Sequence, residues 1–150
     1  MRRAIAVKPS GSWPNEEAVA SVTLAFEERH RRRVRLNDDT GEGFLLDLEK
    51  PALLGDGDGL TLDAGGIIRV LAAHEPVANI QCDDGIHAAR LAWHIGNRHT
   101  PVQVLGDGAL RIGDDHVLVH MVEGLGGRVT RHLAPFDPEP GAYAGGDHGH

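Results

Sequence analysis

The sequence predicts an α+β chain in two parts. An all-β module over residues 1–73 precedes a ferredoxin-like βαββαβ unit over 74–135, and a flexible tail, 136–150, follows. Three observations carry this division. Short apolar runs separated by Gly, Asp and Asn clusters fill residues 19–72, with almost no helical periodicity. Two amphipathic stripes of helical spacing arise only after Pro76, each set between strand-like runs. The stretch from Pro135 to His150 holds three prolines and four glycines and few apolar anchors.

Taken in order, Val19 to Phe26 alternates in part, and Arg33-Val34-Arg35-Leu36 alternates basic with apolar, as a strand with one wet face does. Asn37-Asp38-Asp39-Thr40-Gly41 is a turn cluster, and Gly43 to Leu48 is the returning strand. Lys50-Pro51 is expected to end it. Gly55-Asp56-Gly57-Asp58-Gly59 connects to Leu60-Thr61-Leu62, and Ile67 to Ala73 completes the set. Val77 to Gln81 is strand. Asp83 or Asp84 then caps a helix reaching about Gly96, its core stripe being Ala88, Leu91, Ala92 and Ile95 at i, i+3, i+4, i+7. Val102 to Leu105 and Ala109 to Ile112 form a hairpin. Asp114 is expected to cap a second helix with Val117, Leu118, Met121 and Leu125 inward, ended by Gly126-Gly127. Arg128 to Leu133 is the last strand.

Composition narrows function. The 150 residues carry a net charge of −7, which argues against nucleic acid or an anionic membrane as the main partner. No run approaches the length of a membrane span, so a soluble cytoplasmic protein is expected. One cysteine excludes a disulfide framework and a Cys-based zinc cluster, and Cys82 reads as a small buried hydrophobe. Ten histidines are more than a core of this size uses, and neutral imidazole is the commonest protein metal ligand.

Three histidine groups follow. In His94-Ile95-Gly96-Asn97-Arg98-His99, Gly96 is expected to permit the helix to end, and His99 emerges on the loop before Pro101. His94 equally suits a helix C-terminus, where imidazolium meets the dipole, so spacing leaves both roles open. His87, Arg90, His94 and Arg98 share one helix edge. Trp93 and Ile86 lie away from the core stripe, which points to a partner chain. His116 and His120, at i and i+4, share a face. Val117 stands where a zinc peptidase needs Glu, so no general base accompanies them and a polar helix face remains the competing reading. His148 and His150 flank a glycine at the chain's end and can close on a metal, or take no part.

Other patterns carry less. The run Arg29 to Arg35 lacks aromatics for base stacking and reads as a solvated or partner-binding strand. Asp56-Gly57-Asp58-Gly59 lacks the bidentate Glu of a calcium loop. Gly124-Leu125-Gly126-Gly127 follows no strand, so it is not a dinucleotide loop. No Ser-His-Asp, Cys-His or paired-carboxylate arrangement is present, and no enzymatic activity is expected.

The residues nonetheless form a recognisable set. His94 to His99, followed by Pro101 and Gln103, then Leu110-Arg111-Ile112, Asp115-His116-Val117-Leu118 and Leu125-Gly126, resemble the UreE family of urease accessory proteins. Phe136 to Tyr143, and Arg32-Arg33-Val34-Arg35 with Phe44 to Leu48, extend the resemblance over nearly the whole chain. It implies a peptide-binding-like N-terminal domain and a metal-binding, dimerising second domain. It implies a homodimer in which His99 binds Ni²⁺ across the two-fold, with His94, His116, His148 and His150 as further candidate ligands. Zn²⁺ and Cu²⁺ are the expected competitors. The implied partners are the urease accessory GTPase (UreG) and the urease apoprotein complex, and the implied activity is nickel delivery without catalysis. A peptide-binding scaffold with incidental metal storage is the alternative. Some members carry a histidine where this chain has Asp114, and many end in a long His-rich tail where this one has only His148 and His150.

Overall fold

The computed structural model describes residues 1–141, which divide into two compact units at Ala73/His74. The first contains six strands: β1 (Arg2–Lys8), β2 (Ala18–Leu24), β3 (His30–Asn37), β4 (Gly43–Leu53), β5 (Gly59–Leu62) and β6 (Ile67–Ala72). They form one sheet in the order β2-β6-β5-β1-β4-β3. The pairs β1/β4 and β2/β6 are parallel and the others antiparallel. Alternate residues point inward, and Val22, Phe44, Leu46, Leu60, Ile68 and Val70 form much of an aliphatic core. Two short 3-10 turns, Asn15–Glu17 and Phe26–Glu28, flank β2.

Three features of this unit depart from expectation. Strand β1, central between β5 and β4, has no counterpart in the sequence reading, because its only fully buried side chain is Ala4. Strand β4 runs through Lys50-Pro51 instead of stopping there. The register jumps from Arg33↔Asp47 to Arg31↔Ala52, so Pro51 sits in an excursion where no ladder N–H is required. Arg29 is not part of a solvated basic strand. It is 0% exposed, donating from Nε to Leu54 O at 2.9 Å and from Nη1 to Leu24 O at 3.0 Å. Its guanidinium lies 5.7 Å from the Phe26 ring centroid.

The turn joining β3 to β4 is organised by two carboxylates. Asp38 Oδ1 accepts from the Thr40 hydroxyl (2.6 Å) and from the N–H groups of Thr40 and Glu42, while Oδ2 accepts from Arg2 (2.9 Å). Asp39 reaches β2, accepting from the Ser21 and Thr23 hydroxyls and from Thr23 N–H. At the opposite connection, Asp58 accepts from Ser10 N–H and Gly55 N–H, and Asp56 from Ala72 N–H. The Asp56 to Gly59 loop is thus a turn, its carboxylates spent on backbone donors. A side chain on Gly59 would come within 2.7 Å of Trp13 and Ile67, so close packing requires glycine there.

The second unit runs β7 (His74–Gln81), α1 (Gly85–Asn97), β8 (Gln103–Val104), β9 (Leu110–Gly113), α2 (His116–Gly124) and β10 (Arg128–Pro135). Its antiparallel sheet has the order β10-β7-β9-β8. Ala78, Ile80, Leu110 and Ile112 pack with Leu91 and Ile95 of α1 and Val119 and Val122 of α2. Both helices therefore cover one face, and the architecture is α+β. Helix α1 presents the expected stripe. Helix α2 presents its expected stripe in part, since Leu118 and Met121 pack against the core, and its cap is Asp115, accepting from Leu118 N–H, while Asp114 is paired with Arg131 Nε at 2.9 Å. Val119 and Val122 are the buried residues, and Val117 and Leu125 are exposed.

The other sheet face carries a polar row, Asn79, Arg111 and Gln103, in register across three strands. Within the stretch expected to be a loose tail, the chain crosses this row. Arg111 donates from Nε to Asn79 Oδ1 and from Nη1 to Pro135 O, both at 2.8 Å. Phe136 is 4% exposed, Asp137 N–H donates to Gln103 Oε1 (3.0 Å), and Glu139 N–H donates to Val102 O (2.9 Å). Since β10 and β8 are opposite edges, residues 136–139 span the sheet as a strap. No helix among the described residues is long and apolar enough to cross a membrane.

Asp38 gives a stability prediction. The Thr40 hydroxyl, then Arg2 and the two N–H donors, hold its carboxyl down from 3.8 to about 2, against desolvation, which acts the other way. Its proton is bound more weakly folded than unfolded, so the stabilisation is complete above about pH 4 and is lost as pH falls through about 2. Asp38→Asn should lower Tm at neutral pH, and its melting temperature should change less than that of wild type between pH 4 and 2. Parallel pH profiles of the two proteins check this.

Candidate metal site

The end of α1 is the most unusual backbone in the described chain. The helix continues to Asn97, past the expected end at Gly96, whose φ is not positive. His99 has φ 58°, the only positive φ at a non-glycine residue among those described. Its N–H donates to Gly96 O at 2.9 Å, and Thr100 N–H reaches Ile95 O at 3.4 Å. This is a Schellman closure, with His99 at the left-handed position that glycine usually takes. Histidine is among the few side chains found there with any frequency, at a cost of roughly 1 kcal/mol or more. The strained backbone projects an exposed imidazole from the loop leading into β8.

His94 lies one turn earlier and is half-buried, its ring edge-on to Trp93 with centroids 5.0 Å apart. Trp93 is 63% exposed and Ile86 65%, an uncovered apolar pair seven residues apart on the outer side of α1. His116 and His120 are exposed on α2. Of the two acids just before His116, Asp115 caps α2 and Asp114 is committed to Arg131. Among the described residues, no three His, Cys, Asp or Glu side chains come together as a metal-binding group. His94, His99 and His116 therefore do not form a complete set within one chain. His148 and His150 lie outside the described residues.

His87, grouped by sequence with His94 on one helix edge, has a different role. Its Nδ1 accepts from Asp83 N–H (2.9 Å), which leaves the proton on Nε2 to donate to Leu125 O (2.9 Å). Both ring nitrogens are spent tying the start of α1 to the end of α2. Next to it, a 2.6 Å hydrogen bond from Arg128 holds the Asp83 carboxyl below its usual range, with desolvation opposing. Burial pushes the Cys82 thiol up and keeps it protonated, unsuited to metal. Sequence spacing cannot reveal the His87 clamp, because Leu125 is 38 residues away.

The strap bears on the same region. It sets Glu139 against Val102, three residues after His99. His148 is nine residues beyond Glu139 in sequence.

Two substitutions separate strain from ligation. His99→Gly should raise thermal stability, by about 1 kcal/mol, since glycine accepts the left-handed backbone without strain. His87→Ala should lower stability by roughly 1–3 kcal/mol through loss of both ring hydrogen bonds. Denaturant unfolding of the two variants checks the opposite signs.

Comparison with known proteins bears on the whole chain. Residues 3–73 match the family model for the UreE urease accessory protein N-terminal domain, and residues 75–150 that for its C-terminal domain. Proteins called urease accessory protein UreE are similar throughout. One from Bradyrhizobium sp. (strain ORS 278) is 49% identical over 150 residues, 100% of this chain and 70% of that protein. One from Rhodopseudomonas palustris (strain HaA2) is 50% identical over 144 residues, 96% of this chain and 66% of that protein. One from Beijerinckia indica is 45% identical over 150 residues, covering 86% of its length.

Proposed function

The chain belongs to the UreE family of urease accessory proteins, and from that premise we propose that it carries Ni²⁺ to the assembling urease active site. Membership in that family implies a role in urease maturation as an accessory protein, and we read that role as delivery without catalysis. The finer reading rests on His99. An exposed imidazole is held on strained backbone at a position where glycine would serve the fold better. Residues kept in costly conformations cluster at functional sites.

One chain offers His99 no converging partners among the described residues, so a second chain must help. We read the metal domain as ferredoxin-like and as the dimerising part, with Trp93 and Ile86 contributing to the covered surface. A two-fold axis beside His99 brings two imidazoles to one metal. Ni²⁺ takes nitrogen and oxygen ligands in tetragonal or octahedral arrangements, so water, His94 or the histidines of the tail fill the remaining positions. The strap supports the last of these by directing the chain past Val102. His116 is a peripheral ligand at most, with Asp114 withdrawn. A site completed partly by solvent releases its metal easily, as transfer to the accessory GTPase and the urease apoprotein complex in the cytoplasm requires. Zn²⁺ and Cu²⁺ compete for the same imidazoles.

Calorimetric titration of the full chain tests the reading. Wild type should bind about one Ni²⁺ tightly per two chains. His99→Gly, still folded, should lose that site, and Trp93→Glu should yield monomers that bind nickel more weakly. Undiminished nickel binding by His99→Gly would leave the scaffold reading in its place.

A further inference from the structure

We propose that the open edge of β3 receives an extended, acidic segment of a partner protein as an added strand. β3 is the last strand of its sheet, so alternate N–H and C=O groups along it face no neighbouring strand. Val34 and Leu36 pack against the core, and Arg31, Arg33 and Arg35 are exposed on the alternate positions. Among the described residues, these three arginines make no ion pair or side-chain hydrogen bond. The carboxylate across from Arg33 is Asp47, and it is taken by Arg3 at 3.2 Å. Arg32 differs from its neighbours, donating to Leu48 O.

The other edge of the sheet shows how this fold closes an edge when closure is wanted. There Asp39 accepts from Thr23 N–H and from the Ser21 and Thr23 hydroxyls, and Asp39 N–H donates to Ser21 O. Those contacts come from the chain at the two ends of β3, Asp39 just beyond it and Arg29, which donates to Leu24 O, just before it, and between them no comparable contact covers residues 31–35 among those described. In a chain of net charge −7, three uncompensated cations spaced by two residues stand about 6.7 Å apart, the spacing of alternate side chains on a facing strand. A second copy pairing at this edge would bring arginines near arginines, which disfavours it. Carboxylates at alternate positions of an extended segment meet each cation while the main chains pair. Single-stranded RNA fits less well, since β3 carries no aromatic side chain for base stacking.

The test uses the full chain and a fluorescein-labelled synthetic peptide of alternating Glu and Val, read by anisotropy. The probe should bind, and the double variant Arg33→Glu/Arg35→Glu should weaken binding by roughly tenfold or more. The same variant should gain affinity for the Lys-Val peptide. N-methylation of alternate peptide nitrogens should also abolish binding, because the main-chain pairing is lost. Binding that survives N-methylation would reduce the edge to a site of charge attraction and overturn the proposal. So would tighter binding of RNA than of the acidic peptide, indifference to charge reversal, or no binding, in which case the arginines only guard the edge. Nickel stoichiometry of the variant should match wild type, so this result and that of the nickel reading are separable.

Discussion

The second unit depends on how α1 ends. A helix covering the sheet must return its chain to the far edge, and here it does so through one left-handed residue, His99. That closure satisfies carbonyls at Ile95 and Gly96 and sends the chain through Thr100 and Pro101 into β8. The same backbone turn determines where the imidazole goes, so the fold and the placement of the His99 ring share one pair of dihedral angles. At the opposite end of α1, Asp84 caps the helix and the His87 ring binds it to α2. The Asp84 cap is the one the sequence offers, whereas the His87 clamp falls on a side chain that spacing groups with a plain helix edge.

In the first unit polar groups play the equivalent part, and they divide a uniform-looking arginine run into different fates. Arg29 is swallowed by the core to satisfy the last carbonyls of β2 and β4. Arg32 steadies the excursion around Pro51, and the alternating set faces outward. Composition sees seven residues of one character, whereas the register of the sheet distinguishes them.

Much of the architecture is legible in the residues. The α1 stripe, Ala88 to Ile95, is periodic enough to define its buried face, and turn clusters at Asn37 to Gly41 and Gly55 to Gly59 mark their connections. Strand β1 is hidden because a small residue, Ala4, is its core contact, and small residues carry little hydropathy signal. On α2 the expected Leu118 and Met121 do pack inward, but Val119 and Val122 fill the core in place of Val117 and Leu125, because an apolar run this continuous leaves its buried face to tertiary packing. His99 is visible as a ligand type, but its left-handed backbone is not, since Gly96 offers the more obvious ending. The strap is invisible for a similar reason: a stretch of prolines reads as loose until Arg111 and Gln103 are seen to hold it.

That strap has a consequence for how affinity is tuned. A donor carried on chain downstream of Glu139 is tethered, and its contribution is set by an effective concentration near the anchor. Lengthening such a tether costs little, about 0.6 kcal/mol for each doubling. The anchor at Val102 is held by hydrogen bonds within the domain. On the proposed nickel reading, ligand supply is then decoupled from the fold: insertions, deletions or added histidines beyond the strap would adjust local ligand concentration while every packed residue of the unit keeps its place.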